Sequence, residues 1–232
     1  MEKLPGVVTN QNAPGEGGAG TACKPIDYTP IVPPREGFVK RSEIPTDLRE
    51  RKAWVCWRLE TRDGRPTKVP YSPVTGRRSS STDPSTWATL DATLDAVDAY
   101  SGLGIMFSDG LMGIDLDHCR DKETGELTDW ALSIVKEMDT YTEISPSGTG
   151  LHILFFGVKP EGKNKRAYGD GGEIEVYDRA RYFTFTGEHL PGTPSTVEER
   201  QEQLETFYAE YFGEDEPTPQ QTPPPPRGRF GL

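Results

Sequence analysis

The sequence is short of several things, and each shortage removes a class of protein. It has three cysteines, Cys23, Cys56 and Cys119, in 232 residues. The count is odd and no two are spaced as CxxC, which argues against a disulfide framework or a structural zinc site. No apolar run approaches the roughly 20 residues of a membrane span, and the first residues lack the apolar core of a signal peptide. A reducing, cytoplasmic protein with no membrane partner is therefore expected. Hydrophobic residues make up only 33%, low for a chain of this length, so part of it is not expected to pack. Positive charge is also in deficit: the net charge of -11 argues against tight non-specific binding to duplex nucleic acid. The deficit is uneven, however. Residues 49–78 hold nine basic side chains against three acids, enough for a local basic face toward phosphates.

Proline and glycine collect at the two ends. Residues 1–34 show no periodicity and are expected to form a disordered tail. Residues 214–232, acidic and then Pro-rich, read as a tail or linker. Between them, 40–190 is the expected domain, followed by a helix within 195–213 that opens on a capping box of Ser195 and Glu198 and ends at Gly213. Inside the domain the pattern predicts a short helix after Pro45, a strand from Ala53 to Leu59, a hairpin turn at Asp63-Gly64, and a second strand that Pro70 marks as an edge. Asp83-Pro84 predicts a helix start, carrying Trp87, Leu90, Leu94 and Val97 on one face. A second helix is expected from Thr128 to about Met138. Residues 104–107 and 111–117 read as one hairpin, 173–177 and 181–186 as another, with 158–172 a basic loop between strands. The fold class expected is α+β with a mainly antiparallel sheet.

The chain is organised around Leu111-Met112-Gly113-Ile114-Asp115-Leu116-Asp117. Alternation on a strand sends Met112, Ile114 and Leu116 one way and Gly113, Asp115 and Asp117 the other. Two carboxylates about 7 Å apart on one face have no use in a core, where unpaired charge is costly. A divalent cation such as Mg²⁺, held against a triphosphate, would resolve that cost. His118 and Cys119 beside them are two residues short of a zinc site, so packing is expected for Cys119. Two further stretches complete the set. Ser147-Gly148-Thr149-Gly150 runs into a strand on which His152 shares a face with Leu154 and Phe156. The glycines would let backbone N–H groups approach phosphate oxygens. Glu173, Glu175 and Tyr177 share a face of a third strand, and spacing alone leaves open which acid is a ligand. Arg181 follows at the next strand. Trp54, Trp57 and Trp87 are expected in the core.

The ordered set Asp115-Leu116-Asp117, Ser147-Gly148-Thr149-Gly150-Leu151-His152 and Ile174-Glu175-Val176 resembles the archaeo-eukaryotic primase superfamily. The nearest resemblance is to the primase-polymerase domains of phage and plasmid replication proteins. The Trp54/Trp57 strand, Lys68-Val69-Pro70-Tyr71 and Arg181 to Gly187 are similar to that subgroup, and the likeness covers about 45–190. It implies an RRM-like catalytic sheet with an added small α/β subdomain, and a metal-dependent nucleotidyltransferase. Asp115, Asp117 and Glu175 would bind two Mg²⁺ or Mn²⁺ ions. Ser147, Gly148, Gly150, His152 and Arg181 would hold the phosphates of an incoming NTP or dNTP, and Lys68 would reach phosphate or template. The implied partners are a single-stranded DNA template with its primer and a replicative helicase. Two other functions compete: a catalytically weak module that binds nucleotides or single strands, and a metal-dependent nuclease.

Overall fold

The computed structural model describes residues 39–213, so the two expected tails, 1–34 and 214–232, lie outside the described residues. Trp54–Arg62 (β1) and Arg65–Tyr71 (β2) form the expected hairpin. Arg62 pairs with Arg65 across Asp63 and Gly64, both of positive φ, the two-residue turn whose twist matches that of the strands. Gly102–Met106 (β3) and Tyr182–Phe185 (β9) extend this unit to a four-stranded sheet, β2-β1-β3-β9, in which β2 is an edge. A second, six-stranded sheet contains Leu111–Asp117 (β4), Thr142–Ile144 (β5), Leu151–Phe156 (β6), Lys165–Tyr168 (β7), Gly172–Tyr177 (β8) and Glu198–Glu199 (β10). Its order is β10-β6-β4-β8-β7, with β5 also on β6. All of the pairings are antiparallel except β10 with β6. The α+β class with antiparallel sheets is thus observed.

Five expectations need correction. β3 and β4 are not hairpin partners: Gly102–Met106 pairs with β1 and β9, whereas Leu111–Asp117 lies between β6 and β8. The turn at 108–110 passes the chain from one sheet to the other. Likewise β8 and β9 belong to different sheets. The stretch 158–172 is not all loop, because Lys165–Tyr168 forms an edge strand on β8. Pro84–Thr86 is a single 3-10 turn capped by Asp83, and the helix Leu90–Ala96 (α2) begins six residues later, where the Thr89 hydroxyl accepts from the Ala92 N–H. The last helix is also shorter than expected. Gln201–Phe212 (α4) starts after β10, and the N–H of Glu198 goes to the Thr140 hydroxyl rather than into a capping box. The remaining helices, Thr46–Arg49 (α1) and Asp129–Met138 (α3), stand where expected.

The two faces of β4 meet different environments. Met112, Ile114 and Leu116 are fully buried in a cluster with Ile153, Ile174 and Val176 of the flanking strands, under Ile134 and Met138 of α3 and Leu204 and Phe207 of α4. On the other face Leu111 joins the core of the four-stranded sheet, with Trp54, Phe107, Leu154 and Phe183. Gly113 follows. The rings of Phe183 and Phe107 occupy the space where its Cβ would be. Phe183 also meets Phe107 edge-on at 4.8 Å. The four-stranded sheet therefore roofs this face over Leu111 and Gly113. Trp54 and Trp87 are buried as expected, and Trp57 is half-buried.

Candidate active site

Beyond Phe183 the face carries the acids, in two successive rows. In the first, β4 pairs on both sides at Asp115, with His152 of β6 and with Glu175 of β8. Directly opposed residues bring their Cβ atoms to about 5 Å, so three distant stretches of chain meet as immediate neighbours on one face. In the second row Asp117 is opposed by Glu173, and a Cβ on Gly150 would be 3.5 Å from the Asp117 Oδ1. That same Cβ would lie 2.6 Å from the Leu116 carbonyl oxygen, so the chain passes β4 this closely only with glycine at position 150.

The electrostatics follow from burial and crowding. Burial pushes the Asp115 carboxyl up to about 6; Asp117 and Glu175 push the same way, while His152 and Lys68 oppose. Its Oδ1 is buried and has no hydrogen-bond partner. Burial would lower His152, but Glu143 and Asp115 outweigh it and hold the imidazole above its ordinary value. His152 Nδ1 lies 3.2 Å from Glu143 Oε1 and Nε2 lies 3.9 Å from Asp115 Oδ1. Lys68 sits on β2 with an exposed side chain, 5.9 Å from the centre of the Trp57 ring. The protein around it lowers its ammonium, and Asp115 and Asp117 partly restore it. The basic hairpin thus reaches the acids through this one residue.

Glu175 is differently held. Burial raises its carboxyl, but hydrogen bonds from Lys165 and Tyr177 more than offset that and leave it below the usual range. Lys165 is its cross-strand partner and donates to Oε1 at 2.7 Å, also pairing with Glu173. The Tyr177 hydroxyl donates to Oε2 at 2.7 Å. Arg181, exposed, lies 5.1 Å over the Tyr177 ring, so it reaches the rim of the site through that ring.

The glycine loop departs from expectation. Gly148 has φ +77°, but its N–H donates to the Ser145 carbonyl, and the N–H of Thr149 goes to the Ser147 hydroxyl. These two donors are turned into the loop. Hydroxyls of Ser145, Ser147 and Thr149 form a chain at 2.9 and 3.0 Å. The Gly148 carbonyl accepts from Arg120 at 2.8 Å, and Thr149 O accepts the N–H groups of Cys119 and Arg120. Lys122 packs its methylenes against Gly148, about 3.3 Å from where a Cβ would be. Cys119 is buried, with its thiol toward the Leu116 carbonyl, in keeping with packing.

A divalent cation suits part of this arrangement. An orphaned, buried carboxylate oxygen beside a second carboxylate is a site that a hard cation would relieve. Among the described residues no three His, Cys, Asp or Glu side chains converge as a metal cage, and Glu175 faces Lys165 instead. Mg²⁺ is ordinarily held by one or two carboxylates plus substrate phosphates, not by an all-protein cage, so Asp115 and Asp117 alone satisfy that pattern. Among the described residues no helix is long and apolar enough to cross a membrane.

Glu143, Lys165, Arg120 and Lys122 carried no motif signal. The first two matter through cross-strand pairing, which the local sequence does not encode. No family model matches the chain. Over 144 residues, 60% of this chain, it is 42% identical to the DNA primase-polymerase of Nitratiruptor phage NrS-1, and the match spans 20% of that protein's length. The similarity to primase-polymerase domains of phage replication proteins, read from three ordered motifs, is borne out by this phage relative.

Proposed function

We propose that residues 40–190 form the nucleotidyl-transfer unit of a DNA primase-polymerase, acting on NTP or dNTP with a single-stranded DNA template and a primer 3′-hydroxyl. The observation that carries this reading is the row His152–Asp115–Glu175, with Gly150–Asp117–Glu173 beside it. The six-stranded sheet would serve as the RRM-like catalytic sheet, and the four-stranded sheet with α1 and α2 as the added subdomain. Asp115, Asp117 and Glu175 would hold Mg²⁺ or Mn²⁺. Bound cations supply activation of the primer hydroxyl and neutralisation of the triphosphate.

The remaining steps belong to the chain's own residues. His152 Nε2 donates to a phosphate oxygen from the floor of the site. Ser147 offers a hydroxyl from the loop, and Gly148 and Gly150 keep that loop tight against β4. Arg181, over the Tyr177 ring, and Lys68, on β2, supply positive charge for the triphosphate. Phe183 excludes water from the far end of the row. A replicative helicase is proposed as a partner, in a longer assembly of which this unit is one part.

The test is incorporation of labelled nucleotide on a single-stranded template with Mn²⁺. Incorporation that disappears in Asp115→Ala and Asp117→Ala supports the reading. Retained strand or nucleotide binding with no incorporation favours a binding module instead, a reading that the Lys165–Glu175 contact supports. Template degradation without nucleotides would identify a nuclease.

A further inference from the structure

The site described above draws on the β1–β2 hairpin through Lys68 alone, yet the hairpin has a face of its own. No residue of β1 beyond Cys56 is buried, and β3 accompanies the strand only as far as Trp57. From there the hairpin runs on as a two-stranded ribbon. Cross-strand register puts Trp57 opposite Pro70 and Leu59 opposite Lys68 on one face, with Arg58 and Glu60 on the other. On the second face the charges are already engaged. Glu60 takes Arg62, Arg78 and the Tyr71 hydroxyl, and Arg58 lies over the rings of Tyr71 and Tyr100. The first face has no acid on either strand. Trp57, half-buried, leans across β3, with its Nε1 2.9 Å from where a Cβ on Gly102 would be. Leu59 is 41% exposed. Lys68 stands 5.9 Å from the centre of the Trp57 ring, and its ammonium feels Asp115 and Asp117, so this face continues into the acid row.

An indole, an aliphatic side chain and an ammonium, with no acid among them, suit one class of ligand. Every nucleobase has a face that stacks on an aromatic ring, and the phosphates between bases suit the ammonium. A duplex hides its base faces, so a single strand is the form that fits. One leucine and half an indole fall well short of the roughly 800 Å² a side that a stable protein interface buries. We propose that the Trp57–Leu59 face of the hairpin seats the single-stranded template, with one base stacked on Trp57 and Lys68 between that base and the acids. That the strand is a template rests on the function proposed above; the stacking seat does not.

The test is binding of labelled oligothymidylate to the full chain, without metal or nucleotide, read by fluorescence anisotropy and by quenching of tryptophan emission. Wild type should bind the strand more tightly than the same oligomer in a duplex, with quenching on binding. Trp57→Ala should weaken strand binding about tenfold through loss of the stack. Trp57→Phe, which keeps a ring, should restore most of the affinity but lose most of the quenching, a signature that a merely structural role of Trp57 would not give. Leu59→Glu, which places an acid on the open part of the face, should also weaken the strand about tenfold. Unchanged affinity in Trp57→Ala, full quenching in Trp57→Phe, or equal affinity for the duplex overturns the proposal. If Trp57→Ala does not fold, Trp57→Phe and Leu59→Glu decide, and no effect of either overturns it. A wild type that binds no strand overturns it too and leaves the face to a protein partner. Strand binding as expected in a protein that incorporates no nucleotide keeps the seat and removes the template. Incorporation undiminished by Trp57→Ala removes the seat and leaves the proposed function standing.

Discussion

The two faces of β4 share one backbone and answer to opposite demands. Toward α3 and α4, Met112, Ile114 and Leu116 have no solvent exposure and are sealed by aliphatic and aromatic side chains. Toward the cleft, Asp115 carries a buried oxygen with no partner, beside three more carboxylates and a buried histidine. The first face contributes stability through apolar burial. The second is a cost to the folded chain, held in place by the first. The lesson is that charge crowding here is an unresolved deficit, and a cation with its phosphates is what would resolve it.

Four changes break or sharpen that contrast, the largest effect first. Asp115→Asn should reduce incorporation at least about 100-fold, through loss of a cation ligand, yet raise stability at pH 7. A carboxyl raised to about 6 in the folded chain is charged at pH 7 against its environment. Its contribution therefore improves as pH falls from above 6 toward the unfolded value. Removing the charge should add about 1–3 kcal/mol, read by urea unfolding. Leu116→Ala, on the sealed face of the same strand, should cost about 2–5 kcal/mol by the same measurement. Gly113→Ala should cost about 1–3 kcal/mol, because the Phe183 and Phe107 rings must move off the new methyl. Lys165→Met should tighten Mn²⁺ binding about threefold or more, read by electron paramagnetic resonance, since the cation that now competes for Glu175 is gone. Weaker binding in that variant would show that Lys165 supports the site.

Alternation made the acid face legible in the sequence. It put Gly113, Asp115 and Asp117 on one side, and likewise His152 with Leu154 and Glu175 with Tyr177, because side-chain direction on a strand is a local property. It did not reveal which strands pair. Residues 104–107 and the acid strand are joined by a short turn, yet the pairing places them in different sheets, because partner choice is set by contacts far away in the chain. β7 was hidden for another reason: Lys165-Arg166-Ala167-Tyr168 is an edge strand with little apolar burial to mark it. The start of α2 was misread because Asp83-Pro84 is a sound cap for a single turn as well as for a helix. Glu143 carried no signal at all, because its contacts depend on the Thr186–Gly187 turn, more than forty residues away.

The most direct measurement is anomalous scattering from a crystal of the protein soaked with Mn²⁺ and dNTP. The account predicts a manganese peak bound by Asp115 and Asp117, at about 2.1–2.2 Å from their oxygens, with the triphosphate reaching His152 and the 147–150 loop. Manganese bound elsewhere, with the Asp115 carboxyl left bare beside an ordered nucleotide, would contradict it.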